Sequence, residues 1–200
     1  MGYCICLDTE TTGLDAKFEE ILQLSIVEAY GAFADFDRYY KPTHVESWDD
    51  SARIHGIYPD DVADCTPFTD TDNLAMVQSI IDASDVIIGY NVMFDLRFLI
   101  AAGIDFSGKV INDVMFDFAD FFGPKQDDEW YWSEKCECWK NVKLVNAAGY
   151  FGYSFNAHNS LDDVKATIHV WEQLQQNGVV PVAHSVQSLE ETNVARNYRF

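Results

Sequence analysis

The sequence predicts an α/β protein with a mixed central sheet flanked by helices. Two patterns predict it. Three short apolar runs separated by turn residues occupy the first forty positions, and from residue 71 onward strand-like and helical stretches alternate. Neighbouring strands followed by that alternation make an N-terminal antiparallel meander continued by parallel strands. With 200 residues, 48% of them hydrophobic, the chain is long enough for one domain with a sizeable core.

Tyr3-Cys4-Ile5-Cys6-Leu7 reads as a buried strand that runs on to Asp8-Thr9-Glu10. Thr11-Thr12-Gly13 then supplies turn chemistry. A second strand is expected over 21–29 and a third over 33–40, closed by Pro42. Residues 45–64 read as loop and hold Ile54-His55-Gly56-Ile57. Thr71-Asp72 is expected to cap a helix over 73–83. A strand over 85–90 leads into a helix over 92–102, which Gly103 is placed to stop. A short strand at 110–111 precedes a helix over 113–122. Residues 123–140 are irregular, acidic and aromatic. Helices follow over 142–150 and 160–176, with Ser160 as the expected cap of the second and Asn177-Gly178 as its stop. A tail of mixed character, 177–200, ends the chain. The first strand should be central, and sites in such sheets gather at strand ends.

No apolar run approaches the ~20 residues of a membrane span, and the first residues lack the basic start and apolar stretch of a signal peptide. The expectation is a cytoplasmic protein with no membrane contact. Five cysteines, Cys4, Cys6, Cys65, Cys136 and Cys138, are then expected as reduced thiols. Cys136-Glu137-Cys138 lacks a second pair at zinc-site spacing. The formal net charge is −20, from 33 acids against 13 Lys and Arg. Non-specific nucleic-acid binding relies on Lys and Arg displacing phosphate counterions. The basic residues here are scattered, so a long, tight electrostatic footprint on nucleic acid is not expected. Phosphate chemistry would have to lean on metal ions, and a short substrate suits the chain better than a long one.

Three stretches carry candidate chemistry. In the first, Asp8 and Glu10 lie two apart on a strand, so their carboxylates share a face. At ~5 Å and an effective dielectric of ~20 they repel by about 3 kcal/mol. A divalent cation between them reverses that sign, and hard oxygen ligands suit Mg²⁺ or Mn²⁺. The second stretch runs from Gly89 to Leu99, where Asp95 falls in the first turn of a helix just after a strand end. Taken alone, helix electrostatics would account for that acid. The third is His158-Asn159-Ser160-Leu161-Asp162-Asp163. Capping explains a serine with an acid three residues on, but it does not explain His158.

The order and spacing of Asp8-Thr9-Glu10-Thr11-Thr12-Gly13-Leu14, Asn91 to Asp95, and His158 to Asp163 resemble the DEDDh (DnaQ-like) 3′→5′ exonucleases. That family includes the proofreading epsilon subunit of DNA polymerase III, RNase T and oligoribonuclease. The resemblance covers residues 1–176, which would form an exonuclease domain of RNase H-like fold, with 177–200 as a C-terminal extension. It implies catalytic roles for Asp8, Glu10, Asp95, His158 and Asp163. Asp8 would bridge two Mg²⁺ or Mn²⁺ ions, and Glu10 and Asp163 would hold the ion carrying the attacking water. Asp95 would support the other ion through water, and His158 would be the general base. Histidine's ordinary pKa of about 6.5 fits that task. The five-residue step from His158 selects Asp163 over Asp162 as the last ligand.

The resemblance further implies substrate contacts. Leu14 would act as an apolar wedge near the terminal base, and Ile54 would pack on the terminal nucleotide. Backbone amides near Thr11 and Thr12 would meet the 3′-hydroxyl, and Asn91 belongs to the second motif. His55 reads as a loop hydrogen bonder, Asp113 as a helix cap and Asp117 as a surface charge. The expected partners are 3′ ends of single-stranded DNA or RNA, or short oligonucleotides. The tail leaves room for a protein partner and the chain for a homodimer. Two departures stand out: the acidity, and the segment from Asp127 to Glu134. Its aromatics could stack on bases but more often would pin an insertion to the body. Two rival readings share the fold, an acidic interaction protein that mimics nucleic acid and a hydrolase of small nucleotide signals.

Overall fold

The computed structural model describes residues 3–127 and 131–196. Trp130, one of the aromatics of the acidic segment, and residues 197–200, the end of the tail, lie outside the described residues. Among the described residues a five-stranded sheet runs in the order β3-β2-β1-β4-β5. These strands are β1 (Tyr3–Thr11), β2 (Ile21–Glu28), β3 (Phe36–Tyr39), β4 (Ser84–Gly89) and β5 (Val110–Asp113). β1 is central, antiparallel to β2 and parallel to β4, so the mixed sheet is the one expected. Asp8 lies opposite Ser25 and Glu10 opposite Gln23.

The two faces of β1 are covered by different helices. Ile5 and Leu7 belong to a core that includes Leu96 and Leu99 of α3 (Val92–Ala101). Cys4 and Cys6 belong to a second core with Val164, Val170 and Trp171 of α6 (Ser160–Gln176). By alternation, Asp8 and Glu10 continue the α6 face, and Thr9 continues the α3 face. This parity fixes which helix can meet which acid.

Several elements differ from expectation. Residues 45–64 are not all loop: they hold α1 (Asp49–His55) and a 3₁₀ turn, Pro59–Asp61. The seven-residue helix buries Ala52 and has no side-chain cap, so it lacks the apolar stripe that periodicity needs. Tertiary contact holds it, including the Trp48 indole N–H donating to the Ile57 carbonyl at 2.8 Å. The cap of α2 (Thr71–Ala83) is Asp70, which accepts from the Asp72 amide at 3.0 Å. α3 does end at Gly103, whose φ of +103° and 3.0 Å bond from the Ile104 amide to Leu99 close the last turn.

Beyond α4 (Val114–Phe122), the segment expected to be irregular forms a hairpin of two-residue strands, β6 (Trp132–Ser133) and β7 (Cys138–Trp139). Cys136 and Cys138 form a disulfide there, which corrects the expectation of reduced thiols; Cys4, Cys6 and Cys65 are free. Trp139 packs so closely on Gly123 that a Cβ there would lie 2.2 Å from its ring. The described aromatics of the segment therefore pin it to the end of α4. α5 (Leu144–Tyr150) follows and lies against α6.

The tail continues onto the body. His184 and Ile111 exchange backbone hydrogen bonds of 2.8 and 2.9 Å, so the chain adds a bridge to the β5 edge. α7 (Val186–Arg196) then packs on α3 and buries Leu189 completely. Leu189→Ala is expected to cost about 2–5 kcal/mol in urea unfolding, the range for a fully buried leucine. A loss below ~0.5 kcal/mol would mean that α7 does not dock in solution.

Candidate metal centre

Asp8, Glu10 and Asp163 each place a carboxylate oxygen within 4.8 Å of the others. Asp8 and Glu10 come from the α6 face of β1, and Asp163 from the first turn of α6 itself. The helix is fastened there by Ser160, whose hydroxyl donates to the Asp8 carbonyl at 2.7 Å. The expected cap role of Ser160 belongs to Asn159, whose side chain accepts from the Asp162 amide at 3.3 Å. A serine that ties two distant segments looks like a cap in sequence, because capping is the local use of the same hydroxyl. Asp162 stays outside the group of three.

Asp95 reaches the same end of the sheet from the opposite face. It is 2% exposed, and one of its oxygens accepts from both the Thr9 amide at 2.8 Å and the Thr9 hydroxyl at 2.7 Å. It lies outside the tight group, yet after burial its charge is the strongest influence raising the Asp8 pKa. Thr9 was not singled out in the sequence. The same alternation that pairs Asp8 with Glu10 points to it, since the residue between them must face α3.

The electrostatics are those of crowded acids. Burial, then Asp95, Glu10 and Asp163, hold the Asp8 carboxyl well above its ordinary value. Burial and then Asp163 and Asp95 push Glu10 to about 8. Burial pushes Asp163 to about 7, and burial pushes Asp95 to about 7 against the Thr9 bonds. Among the described residues, none of the four acids is in an ion pair with Lys, Arg or His. A hard divalent cation fits this donor set: all-oxygen, anionic, close-set and without a competing cation.

His158 is exposed in the loop before α6, with φ of +68°, and its amide donates to Asp163 at 3.2 Å. A non-glycine residue in this left-handed region costs about 1–3 kcal/mol, which the surrounding contacts must hold. Asn91, with φ of +62°, makes the same kind of turn before α3. Gly89, just ahead of it, has no room for a side chain, since a Cβ would stand 2.7 Å from Val92 and 3.1 Å from the Leu7 carbonyl.

The expected substrate contacts divide. Leu14 is 87% and Ile54 60% exposed. α1 is clamped to the β1 turn by Ser51, which donates to the Thr12 carbonyl at 2.9 Å, and by His55. His55 Nδ1 accepts from the Ile57 amide at 3.0 Å, so Nε2 carries the proton and lies 3.3 Å from the Thr11 carbonyl. The Thr12 amide is committed to the Glu20 carbonyl at 2.9 Å. That corrects the expectation of an open donor at Thr12. The Thr11 hydroxyl donates to the Gly13 carbonyl at 2.6 Å. Asp113 does cap α4, but Asp117 is no surface charge: it is 5% exposed and accepts from the Val182 amide at 3.3 Å. The tail covers it, and no local pattern announces that cover.

The chain matches the RNase T exonuclease family over residues 5–171. It belongs to that exonuclease family. The resemblance carried by the three motifs is thereby shown at the level of family and fold. Escherichia coli exonuclease I bound to single-stranded DNA, in its zinc-ion form, superimposes with a TM-score of 0.69 at 18% identity, over 88% of this chain and 41% of that one. Exonuclease I from Methylocaldum szegediense gives 0.67 at 17% identity, over 88% and 41%. A product-bound exonuclease I gives 0.69 at 16% identity, over 88% and 44%. This chain thus spans about two fifths of the length of these structures. No curated protein matches the sequence. No helix among the described residues is long and apolar enough to cross a membrane.

Proposed function

We propose that the protein is a DEDDh-type 3′→5′ exonuclease that releases nucleoside 5′-monophosphates from single-stranded or short nucleic acid. The observation that carries this reading is the set of three carboxylate oxygens within 4.8 Å at the end of β1, with Asp95 beside them and no basic partner. A scaffold or nucleic-acid mimic has no use for half-buried acids that repel each other, because each costs folding free energy.

Asp8, Glu10 and Asp163 would hold Mg²⁺ or Mn²⁺ directly, and Asp95, with one oxygen tied to Thr9, would support a second ion. A pair of such ions supplies charge to both the entering and the leaving oxygen of an in-line displacement. His158 would take the proton of the attacking water, its backbone already fixed by Asp163. Leu14 and Ile54, exposed on the turn after β1 and on α1, would pack against the terminal base. Asn91 would shape the turn before α3, and the backbone near Thr11 would meet the 3′-hydroxyl. E. coli exonuclease I is known in complex with dA16 and dT13 oligonucleotides, and a single-stranded substrate is proposed here by that likeness. The net charge of −20 favours short strands over long ones.

With a 3′-end-labelled single-stranded oligonucleotide and Mg²⁺ or Mn²⁺, the labelled product should be the mononucleotide, and chelation should stop its release. Fragments of mixed length, or no product with either metal, would overturn the reading. Dinucleotides run beside longer strands, in DNA and in RNA, would report length and sugar preference.

A further inference from the structure

The turn that delivers Asp95 is held from outside the catalytic acids. Asn91, left-handed at φ +62°, donates its amide to Asp113 at 2.9 Å, and the same Asp113 oxygen accepts from the Met115 amide at 3.1 Å. Asp113 is 2% exposed, and its other oxygen is buried without a hydrogen-bond partner. One turn along α4, Asp117 is 5% exposed and has a second such oxygen. A buried carboxylate with an unpaired oxygen is costly to keep charged unless a positive charge lies near it.

The tail brings one. Arg196, the last residue of α7, is 14% exposed at its side chain and lies 4.5 Å over the Phe116 ring. One of its terminal nitrogens donates to Asp120 at 2.8 Å, and the other is buried without a hydrogen-bond partner among the described residues. Asp113, Phe116, Asp117 and Asp120 recur at three- and four-residue steps, so the guanidinium lies on the face of α4 that also carries both buried acids. The rest of the tail is fastened to α3 and β5. Arg97 of α3, two residues beyond Asp95, makes a two-pronged ion pair with Glu190 of α7 at 2.8–3.2 Å. Asn112 of β5 donates to the Val182 carbonyl at 2.6 Å. This strap lies beyond residues 5–171, the part that matches the exonuclease family.

We propose that Asp113 is a positioning residue for Asp95, holding the Asn91 turn, and that the C-terminal helix, by docking Arg196 on the same face of α4, braces that carboxylate. The proposal rests on the metal-site reading above. Asp113 touches neither substrate nor reacting atoms; it acts through the Asn91 amide on the placement of α3. The tail is then part of the metal site's support, although no tail residue reaches the site.

The test compares wild type with Asp113→Ala, Arg196→Gln and Arg196→Lys. It measures Mn²⁺ binding by calorimetry and hydrogen exchange at the Asn91 amide by NMR, well below each variant's melting temperature. Arg196→Gln is expected to weaken Mn²⁺ binding about tenfold, as loss of groups that orient metal ligands does, and to speed exchange at Asn91. Arg196→Lys should restore most of both. Asp113→Ala should do at least as much as Arg196→Gln; if it does not fold, Arg196→Gln decides alone. A merely structural arginine would lower the melting temperature and leave both readouts alone. Mn²⁺ affinity within about twofold of wild type, with unchanged Asn91 exchange, overturns the proposal. If wild type itself binds no Mn²⁺, the metal-site reading fails separately, and unchanged Asn91 exchange in Arg196→Gln would still overturn the strap.

Discussion

Asp8→Asn is expected to reduce mononucleotide release by on the order of 10²–10³-fold and, in the same protein, to raise the melting temperature measured without metal. The first effect follows from the position of Asp8 among the acids: it is one of the three within 4.8 Å and also feels Asp95. Loss of its charge removes a ligand, and transition-state charge stabilisation of several kcal/mol goes with it. The second effect follows from repulsion. Without metal, the folded state confines acids that the unfolded chain separates, so a neutral, isosteric side chain relieves folding. A ligand that binds only the native state stabilises it by mass action, so Mn²⁺ should raise the wild-type melting temperature and barely move that of the variant. Activity near the wild-type level would dismiss Asp8 as a ligand. A lower metal-free melting temperature would mean that Asp8 is instead stabilised by partners in the fold.

Metal-free stability should fall as pH rises from about 5 to 8, and saturating Mg²⁺ or Mn²⁺ should flatten that slope. Glu10 stands at about 8 in the folded protein and Asp163 and Asp95 at about 7, against about 4 for unfolded carboxyls. In that window the native state holds protons that the unfolded chain has released, so unfolding stability declines with pH. Below about pH 4 both states are protonated, and the repulsion is absent. The decline should amount to on the order of 5 °C or more in melting temperature for a chain of this size. A bound cation takes the place of the protons and cancels the dependence. A metal-free melting temperature that rises across the same window would show that these acids are compensated by a cation among the protein's own groups.

The legible parts of the candidate site are those that local rules reach. Asp8 and Glu10 share a face because a strand has a period of two, and Asp95, His158 and Asp163 sit at strand-to-helix and loop-to-helix junctions that turn chemistry marks. What local rules miss is cover from distant segments. Asp117 reads as a surface charge because nothing in α4 announces that Val182 will donate to it. Ser160 reads as a cap because its bond to Asp8 spans 152 residues. α1 reads as loop because its seven residues gain their hold from Trp48 and the β1 turn.

By itself the sequence determined the mixed sheet, the central acidic strand and the family, since each depends on periodicity and on motif order along the chain. That Asp163 would join Asp8 and Glu10 was implied by the motifs; the tertiary structure alone decided the faces, with Asp163 closing from one face of β1 and Asp95 arriving from the other. It also decided that the tail belongs to the body. The reason is physical: a strand's alternation fixes the side each residue faces, but which helix covers that side is settled only when the cores pack.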